Sequence, residues 1–184
     1  MNRARDLDPL SPLMPALSSQ VALQARDYRA ALEHARQAIV LDSEFWIGHI
    51  MRGQALERMG DLEPAREALT TAARFSAGNS KALSLRAYVL ARTGKSDQAQ
   101  AMLRTLETIS RTRYVPPYAM ALISAGLGQR ESVYAWLERA YDARDVHLIY
   151  LAVDPKWDSY RADPRFEALL VRCGFRRTSP ASPH

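Results

Sequence analysis

Gly60, Gly94 and Gly128 stand 34 residues apart, and three further columns keep the same interval: Ala31, Ala65, Ala99 and Val133; Ala38, Ala72, Leu106 and Ala140; Ala35, Leu69, Leu103 and Leu137. Four coincident columns constrain the chain strongly. A unit of that length cannot enclose a core by itself and buries its apolar face by stacking on its neighbours, which builds an extended surface rather than one enclosed pocket. The period therefore shifts the expected function toward binding.

Within each unit, apolar residues recur at helical spacing on both sides of the glycine column, the pattern of two amphipathic helices joined by a tight turn. In the second unit Trp46, Ile47, Ile50, Met51, Ala55, Leu56 and Met59 share one helix, Gly60 ends it, and Asp61 is expected to cap the next. Glycine suits that place because a helix commonly stops on a residue at positive φ, which costs other residues roughly 1–2 kcal/mol. In the first unit Arg26 takes the glycine's place ahead of Asp27, which predicts a strained or differently shaped turn. Pro64 falls in a first helical turn, where its missing N–H is harmless.

The units run 12–45, 46–79, 80–113 and 114–147. Residues 1–11 read as the remnant of a preceding repeat helix, because Ala4, Leu7, Asp8 and Pro9 sit one period before Ala38, Leu41, Asp42 and Ser43. The expectation is a fragment of a longer array, or a chain lacking its leading half repeat. Leu7, Leu10, Leu13 and Met14 would then be uncovered, which makes the N-terminal end a candidate homodimer surface.

After residue 147 the ladder fails, and 148–175 read as a C-terminal cap. A short apolar helix over 147–153 is expected first. Asp163 and Pro164 then start a helix with Phe166, Leu169, Leu170 and Cys173 on one face and Gly174 at its end. Trp157, Tyr160 and Phe166 are expected to lie as a lid over the apolar face of the last repeat. Residues 176–184 are polar and rich in Pro and Ser, a composition that predicts disorder.

With 184 residues, 47% hydrophobic and 24% charged, the chain is one globular domain. Its net charge of +5 is spread along the sequence, a solvated surface with mild attraction for acidic partners. The longest uncharged stretch, 115–129, is shorter than the roughly 20 residues a bilayer demands, no secretory h-region is present, and the lone Cys173 excludes an internal disulfide. The sequence reads as a cytoplasmic protein with no membrane partner. His34, His49 and His147 have no acid or cysteine companions at metal spacing, and there is no phosphate loop, nucleophile elbow or paired-carboxylate motif. Asp154, Asp158 and Asp163 invite a metal reading, but two of them precede proline and read as helix starts. No enzymatic activity, metal or cofactor is expected. Basic and aromatic residues do not alternate along any one helix, which argues against nucleic acid.

The residues resemble the tetratricopeptide repeat family: a 34-residue helix-turn-helix, a small residue at the eighth position (Ser19, Gly53, Ala87, Ala121), glycine before the turn, and small residues at the twentieth and twenty-seventh. The match departs at the seventh position, where Ser18, Arg52, Arg86 and Met120 replace the usual leucine. The resemblance implies an all-α right-handed superhelix, an α-solenoid of about four helical hairpins plus capping helices. It also implies a non-catalytic protein–protein interaction scaffold, holding an extended or helical segment of a partner in its concave groove.

Carried over position by position, the groove would include Gln20; Ile47, Ile50, Gln54 and Arg58; Lys81, Tyr88 and Arg92; and Tyr118. Tyr88 and Tyr118 would stack on the partner while Arg58, Lys81 and Arg92 attract acidic groups. Arg52 and Arg86, one period apart, would either pack their stems and reach solvent or an acid such as Glu57 or Glu67, or form a paired anion site. Of the two-carboxylate clamp some members use for chaperone C-termini, only Lys81 is matched, so such peptides are not expected. The opening LDPLSP and the closing VDPKWDSYRADPRFEALLVRCGF resemble array ends found in bacterial winged-helix regulators, nucleotide cyclases and serine/threonine kinases. That implies an alternative role as a regulatory or sensor domain of a larger signalling protein.

Overall fold

A computed structural model describes residues 10–175 and is all-helical there, so the expectations for 1–9 and 176–184 lie outside the described residues. The helices come in packed pairs: α1 (Leu13–Gln24) with α2 (Tyr28–Leu41), α3 (Trp46–Met59) with α4 (Leu62–Phe75), α5 (Ser80–Arg92) with α6 (Ser96–Ile109), and α7 (Pro117–Gly126) with α8 (Arg130–Asp142). Two 3₁₀ turns follow, Val146–Tyr150 and Pro155–Tyr160, and then α9 (Pro164–Arg172), which rests on α8. Along the series α2 packs on α3 and α4 on α5, while first helices touch first helices from α1 to α3, α5 and α7.

The 34-residue columns are the positions where helices meet. Ala31, Ala65, Ala99 and Val133 are fully buried, and so are Ala35, Leu69, Leu137, Ala38, Ala72 and Ala140, with Leu103 and Leu106 nearly so. All lie on the second helix of a pair. The eighth position faces them: the Ser19 hydroxyl donates to the Ala31 carbonyl at 2.7 Å. A Cβ on Gly53 would come within 2.6 Å of the Leu69 side chain and 3.3 Å of the Ala65 carbonyl oxygen. Small residues are needed on both sides because the backbones approach closely.

The turn column is equally regular. Gly60, Gly94 and Gly128 have φ of 91°, 78° and 71°, and Arg26 adopts the same left-handed shape at 63°. Behind each runs the same long closing bond, from the N–H of Asp27, Asp61, Lys95 and Gln129 to the carbonyls of Ala22, Leu56, Leu90 and Ser124 at 2.9–3.0 Å. Arg26 thus keeps the turn's form at a cost of roughly 1–2 kcal/mol that glycine would avoid. Asp27 accepts from the Ala30 N–H as a cap, whereas Asp61 makes no side-chain cap bond.

Two junctions depart from the period. The link 110–116 carries Pro116 and leads to Pro117 in the first turn of α7, and there α7 leans more on α5 than on α6. Gly126 makes this possible, since a Cβ on it would stand 2.9 Å from the Tyr88 carbonyl oxygen and 3.0 Å from the Tyr88 Cα. The second departure is the C-terminal segment.

Candidate functional site

The segment expected as a lid touches the last hairpin, with Tyr160 against the Tyr134 ring and Trp157 against the Tyr118 ring, and it also reaches the first two hairpins. Arg144, at φ 52°, reverses the chain after α8, and the Asp145 N–H closes the turn on the Ala140 carbonyl at 2.9 Å. Asp145 is buried and accepts three bonds: from the Tyr118 N–H at 3.0 Å, the His147 N–H at 3.0 Å and His147 Nδ1 at 2.8 Å. Burial alone would raise its carboxyl, but the bonds from His147 and Tyr118 outweigh it and hold the group below the usual carboxylate range. One carboxylate therefore satisfies an orphan N–H in the first turn of α7 and pins the start of the strap.

Beyond it, three consecutive residues grip three different hairpins. Lys156 Nζ donates to Gln54 Oε1 on α3 at 2.8 Å, and to both Asp154 oxygens at 3.3 Å. Trp157 Nε1 donates to the Tyr118 hydroxyl on α7 at 2.9 Å, with the two rings edge to face. Asp158 receives both terminal nitrogens of Arg26 at 2.8 and 2.9 Å, which holds its carboxyl below the ordinary range. The exposed Arg26–Asp158 pair contributes little, about 0–1 kcal/mol. The apolar anchor dominates: Leu148, Leu151, Trp157, Tyr160, Phe166 and Leu169 are all buried. Four of these, Leu148, Leu151, Trp157 and Tyr160, belong to the strap itself, which is thereby packed into the core of the chain and forms a wall beside the first helices.

Between the strap and the first helices a small cleft of about 40 Å³ remains. Gln20, Gln54, Lys81, Ser84 and Asp154 contribute polar groups, His147 and Tyr150 stand on the strap side, and Leu85, Ala119 and Leu122 are apolar wall. The Lys81 ammonium lies 5.7 Å from the Tyr150 ring centre. Burial, then repulsion from Lys156, pulls its pKa below the ordinary lysine value, with Asp154 opposing. Tyr118 is pushed well up by burial.

The groove residues expected from the sequence separate into groups. Gln20, Gln54, Lys81 and Tyr118 line this one cleft. Tyr118 is committed within the chain, stacked on His147 with ring centres 5.6 Å apart and bonded to Trp157. Ile50 is fully buried, Ile47 packs partly buried against the core, and Tyr88 is buried, which raises its hydroxyl to about 12. Arg58 and Arg92 converge on Glu57, a carboxylate 2% exposed, and Arg92 also lies over the Tyr88 ring. Glu57 is thus taken by these two arginines and not by Arg52 or Arg86. Arg52 is exposed and Arg86 half-buried, and among the described residues no carboxylate stands within ion-pair distance of either.

Two of the histidines are tied into the fold. His49 is buried, its Nε2 2.8 Å from the Ser43 carbonyl and its ring against Phe75, and His147 does have an acidic companion in Asp145. Asp154 and Asp163 cap the N–H groups of Lys156 and Arg165 as helix starts, while Asp158 serves Arg26 and Arg161. Among the described residues no cluster of His, Cys, Asp or Glu could hold a metal ion, and no helix is long and apolar enough to cross a membrane.

Asp154, His147, Tyr150 and Lys156 were missed as site residues. One signal was available for the strap: Arg26, the residue that breaks the glycine column, is the one that receives Asp158. Compared with family models, curated proteins and solved structures, the chain finds no match.

Proposed function

We propose that this chain is a non-catalytic protein-recognition module of the tetratricopeptide kind, a right-handed superhelix of four hairpins whose concave face grips an extended segment. The supporting observation is the strap: Lys156, Trp157 and Asp158 reach Gln54, Tyr118 and Arg26 on the second, fourth and first hairpins, the way a groove reads a peptide. Because the strap occupies the deep part of the groove, the protein partner seats along its open rim, and the chain's net charge of +5 favours an acidic segment. A photo-crosslinking residue at Gln24, half-buried on the rim beside Arg58 and Lys156, is expected to capture a distinct partner in the cell. The same residue at Arg104, exposed on α6, is the comparison site, and equal capture at both places would sink the reading.

A second reading, a regulatory domain of a larger signalling protein, has its own support. Leu13, Leu17 and Val21 form one stripe on α1 and are 43%, 43% and 52% exposed. A stripe of that kind favours another apolar surface, whether a neighbouring domain or a second copy of this chain. Light scattering is expected to show self-association at high concentration that Leu17→Glu with Val21→Glu abolishes. A wild-type chain that stays monomeric throughout removes the second copy from consideration.

A further inference from the structure

The cleft beside the strap holds charged and polar groups that are not balanced from within. Its lining includes one carboxylate, Asp154, which Lys156 already engages with two contacts at 3.3 Å. Lys81 is the second ammonium at this place, and among the described residues no carboxylate lies within ion-pair distance of it. Two lysines against one aspartate leave a single positive charge. His147 is turned to Asp145, and the Lys81 head lies over the Tyr150 ring, 5.7 Å from its centre.

Gln54 supplies the second observation. It is 7% exposed, its Oε1 accepts from Lys156, and its Nε2 has no hydrogen-bond partner. The orientation of the amide is fixed, because an ammonium can only donate and so must face the oxygen. The donor is thereby left looking for an acceptor, and a buried donor without one costs about 1–3 kcal/mol. Beside these two donors, Leu85, Ala119 and Leu122 give the same cleft an apolar wall.

We propose that the cleft binds a small organic monocarboxylate, its carboxylate taken by the Lys81 ammonium and the Gln54 amide, its apolar body against Leu85, Ala119 and Leu122. One negative charge neutralises the surplus lysine, and a carboxylate has acceptors for both donors at once. A dianion would leave an uncompensated charge beside Asp154. The body must be short, since the strap closes the far side. This site is separate from the rim on which a protein partner would seat, and it stands or falls without that partner.

The chain has three lysines, Lys81, Lys95 and Lys156, so ¹³C reductive methylation of the full protein gives a spectrum with few signals, and methylation keeps each charge. Titration with hexanoate is expected to shift the Lys81 signal saturably, while Lys95, exposed to the extent of its Glu63 pair on another face, stays in place. Hexanamide, the uncharged counterpart, is expected to leave both unmoved. Calorimetry with the unmodified chain should give an affinity that Lys81→Met weakens at least tenfold at an unchanged melting temperature. A peptide ending in a free leucine carboxylate, run alongside, separates a free acid from a protein terminus: binding of the peptide in place of hexanoate overturns the proposal. So does an unmoved Lys81 signal, or equal shifts at Lys81 and Lys95. Should Lys81→Met fail to fold, the lysine spectrum of the wild-type chain decides alone.

Discussion

Trp157→Ala is expected to lower the melting temperature by roughly 10 °C, from a loss of about 3–5 kcal/mol for emptying a buried tryptophan site at about 2–4 °C per kcal/mol for a domain of this size. Trp157 is fully buried, touches the rings of Tyr118, Tyr160 and Phe166, and donates its indole N–H to Tyr118. Its removal leaves a cavity between the strap and α7 and takes the donor from a buried phenol. Trp157→Phe keeps most of the ring and is expected to cost less, about 1–3 kcal/mol, from the lost hydrogen bond and the smaller area. The same pair of variants tests the placement of the strap: thermal unfolding followed by circular dichroism should show one transition shifted as a whole. A loss confined to a small early transition, with the hairpins melting at the wild-type temperature, would mean that the strap is an appendage rather than a wall.

Gly126→Val is expected to destabilise by at least about 1–3 kcal/mol, the usual range for forcing atoms into a packed interface. The added Cβ would meet backbone, the Tyr88 carbonyl oxygen at 2.9 Å and Cα at 3.0 Å, which no rotamer change can relieve. α5 and α7 must then separate. Because Lys81, Ser84 and Leu85 come from α5 and Tyr118, Ala119 and Leu122 from α7, the cleft widens with them. Denaturant unfolding gives the stability, and the combined fluorescence of Trp46, Trp136 and Trp157 reports the change in packing. Gly94→Val is the contrast, since nothing lies within 4 Å of a Cβ there and its cost is the left-handed φ of 78° alone. Equal stability of Gly126→Val and the wild type would show that the α5–α7 contact is not as close as described.

The period made the helix pairs readable in advance, because a column of small residues at fixed spacing has one economical explanation, close packing of identical units. Ala31, Ala65, Ala99 and Val133 could be assigned to an interface before any coordinate, and all are fully buried. Local chemistry was less reliable at single positions: Asp27 caps its helix and Asp61, in the same column, does not. The burial of His49 was not legible, because nothing in its own helix pattern says that Phe75 will lie against its ring.

Of the candidate site, Gln20, Gln54, Lys81 and Tyr118 were legible, since they sit at the ninth, second and fifth positions of their units, all on the first helix of a pair or at its start. The strap was not. Lys156 and Gln54 are 102 residues apart and Arg26 and Asp158 are 132 apart, with no shared period linking them. Local sequence fixes which residues turn, cap and face a helix neighbour, because those energies act over one or two turns. Where an aperiodic segment comes to rest depends on which apolar surface is left uncovered once the repeats have stacked. Only the assembled chain decides that, and it is what turned an open groove into a cleft bearing one surplus positive charge.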